Sequence, residues 1–271
     1  IEDKPKGLIS TVGFTERPDV TAGRILEGSI AILCDGSPNA LTIPKLFIEN
    51  LHSSEDYYTR PKYATFLRIL RLVGFIMSFA LPGIYVALIL YHQEMIPTNL
   101  LISIAGQREG VPFATSLEAF FLVMFFELLK ESGLRLPQAI GETVTLVGGL
   151  VIGQAAVDAG IVSATMVIVV AATGMAEFVI PAMREMIPIY RLAFLFLGSI
   201  AGLYGISFGL VFLAVKLVSM KSFGIPYMWP IAPYDKEEIK DSILRLPMRK
   251  MNYRPKPIAK EDSRKRNERI E

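Results

Sequence analysis

The stretch LVGFIMSFALPGIYVALILYHQ, residues 72 to 93, contains no charged side chain. At 1.5 Å per residue it makes a helix long enough to cross a hydrocarbon core of about 30 Å. Two further runs, Ala159 to Ala176 and Leu192 to Val215, are likewise free of Asp, Glu, Lys and Arg. Helices buried in soluble proteins seldom sustain such runs. The fold class expected is therefore mainly α: a polytopic helical membrane protein.

Composition agrees. Of 271 residues, 52% are hydrophobic, and the mean hydropathy is positive, which is too apolar for an ordinary soluble domain. The net charge of +2 says little as a total, because the basic residues gather towards the ends of the chain. Arg60, Lys62, Arg68 and Arg71 precede the first apolar run, which puts that flank in the cytoplasm by the positive-inside rule. From Lys236 to Glu271 there are 12 Lys or Arg against seven Asp or Glu. Such a tail suits an anionic lipid surface better than nucleic acid, and no nucleic-acid partner is expected. With both ends cytoplasmic the number of spans is even, so about four spans and one amphipathic interfacial helix are expected.

Residues 1–65 are polar and read as a small α+β piece, the C-terminal part of a cytoplasmic soluble domain. In RPDVTAGRILEG, Asp19 is placed to cap a short helix and Gly28 to stop it. SIAILCDGSPNALTIP reads as two strands joined by a turn at Asp35-Gly36. A hairpin this small does not fold alone, so it is expected to complete a sheet whose other strands lie upstream of this sequence. The transmembrane domain is expected over residues 66–222, and a partly disordered cytoplasmic basic tail over 223–271.

Within the membrane region, Pro82 falls mid-span and frees a backbone carbonyl, giving a kink that serves either packing or a hinge. Thr115 and Glu118 have capping-box spacing at the start of TSLEAFFLVMFFELLKESGLRLP. Glu127, Lys130 and Glu131 then share one face of that helix, making it amphipathic. Residues 143–157 form the next helix, Asp158-Ala159-Gly160 a turn, and 161–180 a further span ending at Pro181. The last span is expected from Leu192 to about Val218.

No known catalytic chemistry finds residues here. Cys34 is the only cysteine, and neither His52 nor His92 has partners at metal-ligand spacing. Nucleophile elbow and phosphate-binding loop are both missing. Neither an enzyme nor a metal or cofactor site is expected.

What remains is polarity at membrane depth. Wound at 100° per residue, Glu142, Thr145, Gly149, Gly153 and Ala156 fall on one stripe. This stripe either lets helix backbones approach closely or lines a narrow polar pore with Glu142 at its mouth. Gln154, about 120° off the stripe, and Asp158, in the turn, are candidates for interhelical or pore contacts, since polar groups at this depth are expensive. Glu177 is the other deep charge, either paired at the interface with Arg184 or part of an ion path.

Several stretches together resemble the A subunits of the GerA-type bacterial spore germinant receptors. They are RILEGSIAILCDGSPNALTIPKLF, EDYYTR, HQEMIPTNLLISIAGQREGVPF, FELLKESGLRLPQAIGETVTLVGGLVIGQAAVDAGIVSATMVIVVAATG and SFGIPYMWPIAP, in the family's order over roughly residues 15 to 235. The resemblance implies a multi-pass protein of the spore inner membrane with both termini cytoplasmic. It implies partners too: a transporter-like B subunit that senses nutrient, a lipoprotein C subunit, and further copies of the same chain, as a pentamer, forming a nutrient-gated channel for monovalent cations. No catalytic residue is carried over. The alternative is a non-conducting membrane scaffold that couples the nutrient-binding subunit to another channel; a secondary transporter is disfavoured because paired broken helices are missing.

Overall fold

A computed structural model describes residues 8–135, 148–149, 151–235, 238–246 and 258. The chain is mainly helical with a small sheet. It divides into two compact units, Ile1–Val73 with Phe212–Glu271, and Gly74–Val211.

In the first unit, β1 (Gly13–Thr15), β2 (Ile30–Leu33) and β3 (Ala40–Ile43) form an antiparallel sheet in the order β1-β3-β2. The expected hairpin is present: Ile30 pairs with Ile43 and Leu33 with Ala40, and Gly36 takes a positive φ of 79° in the connection. Helix α1 (Pro18–Leu26), with Arg17 as its N-cap, starts two residues earlier than expected. Pro18 opens it because a missing N–H costs nothing in a first turn, and Asp19 bonds Arg17 rather than capping.

The segment after the last long helix folds back on this sheet. β4 (Lys221–Ser222) and β5 (Ile225–Pro226) pair through a turn at Phe223-Gly224. Ser222 Oγ donates to the Thr11 carbonyl at 2.9 Å and accepts from the Lys45 amide at 3.0 Å. Tyr227, only 1% exposed, accepts the Phe47 amide at its carbonyl and the Asn50 amide group at its hydroxyl. Residues 9–51 and 221–227 thus share one core.

The second unit is a helix bundle. Its members are α2 (Pro61–Tyr91), α3 (Thr98–Arg108), α4 (Thr115–Arg135), α5 (151–158), α6 (Ala164–Phe178) and α7 (Ile187–Ser219), with α2 and α7 also contributing residues to the first unit. Val86 of α2, Ala119 and Val123 of α4, Met166 and Val170 of α6, and Leu195 of α7 make its core. Helices α2 and α7 meet at glycines. A Cβ on Gly83 would sit 2.5 Å from the Phe194 carbonyl oxygen, and one on Gly198 would fall on the Gly83 backbone.

By length and composition α2 and α7 are able to cross a membrane. Yet α7 is not the straight last span expected. Gly202 has φ 61° and ψ −144° in the middle of it, a conformation open to glycine and closed to most other residues. Beyond it the chain reverses. A Cβ on Gly209 would lie 2.8 Å from Leu197 Cδ1 and 3.2 Å from Phe194 Cε1, whereas in a straight helix residues 197 and 209 stand about 18 Å apart. So α7 is two arms, 187–201 and 203–219, of about 22 and 25 Å each. The break robs the Ser199 and Ile200 carbonyls of their helical donors, and the Tyr91 hydroxyl donates to both, at 2.8 and 3.1 Å.

Candidate functional site

Pro82 has no N–H, so the carbonyl four residues earlier, that of Ser78, loses its helical partner. The structure shows what replaces it: Arg191 of α7 donates from Nε to the Ser78 carbonyl at 2.8 Å. Arg191 is 0% exposed. Its Nη2 donates to Glu177 Oε2 of α6 at 2.7 Å, and its Nη1 to Glu127 Oε1 of α4. Lys130, one turn after Glu127, closes the circuit, with Nζ 2.8 Å from Glu127 Oε2 and 2.7 Å from Glu177 Oε1.

Two cations and two carboxylates cancel here, and each carboxylate accepts from both cations. A buried charge is tolerable only when paired and fully hydrogen-bonded, and this quartet with its carbonyl meets that condition across α2, α4, α6 and α7. Gly174 makes room beside it: a Cβ there would strike the Phe126 ring, over which Lys130 Nζ stands at 5.6 Å.

A second buried charge cluster lies in the other unit. Asp56, 0% exposed, takes Arg71 in a bidentate pair at 2.7 and 2.9 Å and Arg68 Nε at 3.4 Å. Arg68, also 0% exposed, donates from Nη1 to the Ser242 carbonyl at 2.9 Å and to the Asp241 carbonyl and carboxylate at 3.1 and 3.2 Å. Arg245 donates to the carbonyls of Thr59 and Tyr57. Burial alone would push the Asp56 carboxyl up, but the hydrogen bonds from Arg71 and the Ser53 amide hold it below its usual value. Burial and then the Arg68 charge push His52 down to about 4, while its Nε2 lies 2.9 Å from the Ser242 carbonyl.

Of the residues singled out in the sequence, Glu177 joins the quartet, with Arg191 and Lys130 as partners, while Arg184 stands over the Phe178 ring. Gly149, Gly153 and Ala156 line an apolar cavity of about 300 Å³, walled also by Phe121, Phe125 and Val170. Gln154 and Asp158 are exposed on α5. Glu142 and Thr145 lie outside the described residues.

Glu118 does not close a capping box with Thr115. Its Oε1 accepts instead from the Ser163 amide at 2.7 Å and the Ser163 hydroxyl at 2.6 Å. Ser163 caps α6, so the carboxylate lies at the positive end of that helix, where the macrodipole favours an anion. The charged face of α4 also divides. Glu127 and Lys130 point into the quartet, whereas Glu131 pairs with Arg135 at 2.6 Å in the open, with side chains 58% and 78% exposed.

Arg191, the hub of the quartet, is the residue the sequence leaves unmarked. It sits at the flank of an apolar run and reads as a span boundary. The signal available was Pro82, whose orphan carbonyl requires a donor from elsewhere.

A family model described as the Bacillus/Clostridium GerA spore germination protein matches residues 1–257. Spore germination protein KA of Bacillus subtilis (strain 168) is 47% identical over 264 residues, covering 97% of this chain and 48% of that protein. The uncharacterized membrane protein YfkQ of the same organism is 44% identical, over 98% of this chain and 52% of its own length. Spore germination protein GerLA of Bacillus cereus is 43% identical, over 92% and 51%. The chain spans about half the length of these relatives. No solved structure matches it.

Proposed function

We propose a function from one premise: the chain belongs to the GerA family of spore germination proteins. It acts as the membrane portion of a germinant receptor A subunit, in the spore inner membrane, multi-pass with about four spans and cytoplasmic termini. It assembles with copies of itself, with a transporter-like B subunit and with a lipoprotein C subunit. When the partner senses nutrient, the A subunit passes monovalent cations. In this reading the stripe of Glu142, Thr145, Gly149, Gly153 and Ala156 faces the axis of the oligomer.

The observation that supports signal transduction is the Arg191 quartet. Through side chains it ties α4, α6 and α7, and through the carbonyl freed by Pro82 it ties α2. Helices so joined shift together, because displacing one leaves a charge unpaired in an apolar surround.

A second reading has its own support. Gly149, Gly153 and Ala156 face an apolar cavity, the environment of small residues that serve helix contact, and this suits a non-conducting scaffold. Planar-bilayer recording on the purified full-length protein separates the two. Cation current that changes with bulk at Thr145 or Gly149 supports conduction. Silence in the bilayer, from a protein that still restores nutrient-triggered germination to spores lacking it, supports the scaffold.

A further inference from the structure

Four basic residues, Arg60, Lys62, Arg68 and Arg71, lead into the apolar run of α2, and the structure divides them. Arg68 and Arg71 turn inward to Asp56, with side chains 0% and 15% exposed, and Ala64 is buried beside them. Arg60 and Lys62 are exposed. Among the described residues, neither has an ion-pair or hydrogen-bond partner for its side chain.

The outward face is apolar. Wound at 100° per residue, Lys62, Phe66, Ile69 and Val73 fall within about 60° of one another, with Leu70 and Tyr63 alongside. Tyr63, Phe66, Ile69, Leu70 and Val73 are each at least 44% exposed. A helix on the surface of a soluble protein turns its charges to water and its apolar stripe to the core. The first three turns of α2 do the reverse, so the medium they suit is apolar. Tyr58, 81% exposed just ahead of the helix, and Tyr63 then mark the level where amphipathic rings gather, between hydrocarbon and headgroups.

We propose that Arg60 and Lys62, framed by Tyr58 and Tyr63, form a docking surface for the headgroups of anionic lipids, an inference that rests on the membrane placement proposed above. No Asp or Glu occurs from Tyr57 to Gln93, so nothing on that stretch of chain repels an anion, and Glu55, just before it, pairs with Arg17 at 3.6 Å. A zwitterionic headgroup carries its own cation beside its phosphate. An anionic one leaves its charge for the protein, and each basic side chain near such a surface adds to the attraction.

The test is contact quenching by labelled lipid. Tyr63→Trp supplies a reporter in the full-length protein with its other tryptophans replaced by phenylalanine. The protein is reconstituted in vesicles of equal parts phosphatidylglycerol and phosphatidylcholine, with bromine on the acyl chains of one lipid or the other. Quenching should be stronger when phosphatidylglycerol carries the bromine. That preference should fall about two- to fivefold with each of Arg60→Gln and Lys62→Gln and shrink in high salt. Equal quenching by the two lipids, or a preference that survives the double variant, overturns the proposal and leaves the membrane placement intact. A second reporter, Phe208→Trp at an exposed position of α7, identifies the deeper failure. Quenching there but not at position 63 means that protein covers this face, which overturns the docking surface alone, and quenching at neither overturns the membrane placement with it.

Discussion

Arg68 and Arg191 are both fully buried, yet their charges are met in different ways. Arg191 faces carboxylates from two other helices, with Lys130 completing a neutral quartet. Arg68 is met mainly by the carbonyls of Asp241 and Ser242, and shares Asp56 with Arg71. Its Nη2 has no hydrogen-bond partner. The quartet is closed, so each member depends on every other. The Arg68 cluster is open and carries three arginines, Arg68, Arg71 and Arg245, against Asp56 and Asp241. Burial first, and then the nearby Arg68 charge, make His52 resist a proton. Closure makes the first site fragile to deletion, and the buried His52 makes the second responsive to pH.

Arg191→Met should break the contrast most sharply. It leaves Glu127 and Glu177 sharing Lys130 alone and the Ser78 carbonyl unpaired, at a cost of about 3–5 kcal/mol, read by equilibrium unfolding in mixed detergent micelles. Arg68→Met should cost less, about 2 kcal/mol, because Arg71 still holds Asp56 in a bidentate pair. Equal losses for the two variants would erase the distinction between a closed and an open cluster.

Acid sharpens it further. His52 titrates near 6.5 in the unfolded chain and at about 4 in the folded one. Between those values the unfolded state binds the proton and the folded state does not, so stability falls as pH drops from about 6.5 to about 4. Because the ring is partly exposed, the loss should be about 1–2 kcal/mol rather than the full linkage value. Asp56 adds its own loss below its ordinary value of 3.8, as pH falls through the lowered folded value. A pH series of unfolding curves checks this, and His52→Gln should flatten the upper window while leaving the lower one. The smallest effect is expected at Glu131→Gln, under about 0.5 kcal/mol, since that pair on α4 lies in solvent. A larger loss would mean that charge pairing on α4 matters regardless of burial.

Much of the architecture was legible from local pattern. The β2–β3 hairpin followed from its Asp-Gly turn between two short strands, and α2 from an uninterrupted apolar run. What local pattern misjudged was partner choice across distance. Thr115 and Glu118 have the spacing of a capping box, but the carboxylate finds a better donor set at Ser163, 45 residues away. Pro82 announced an orphan carbonyl, yet nothing nearby in the chain named Arg191, 113 residues from Ser78, as its donor. Gly202 sits in a charge-free run that reads as one span, because hydropathy carries no information about a positive φ. Likewise, the residues around Asp241 look like the start of a solvated tail by composition, yet they dock on Arg68, the Tyr57 hydroxyl and the His52 ring.

The account rests on the quartet and the proline-freed carbonyl acting as one unit, and a double-mutant cycle between Pro82→Ala and Arg191→Met measures that directly. Alanine restores an N–H that can reach the Ser78 carbonyl, so it should recover about 1 kcal/mol when Arg191 is gone and have little effect when Arg191 is present. Unfolding free energies that simply add across the cycle would contradict the coupling.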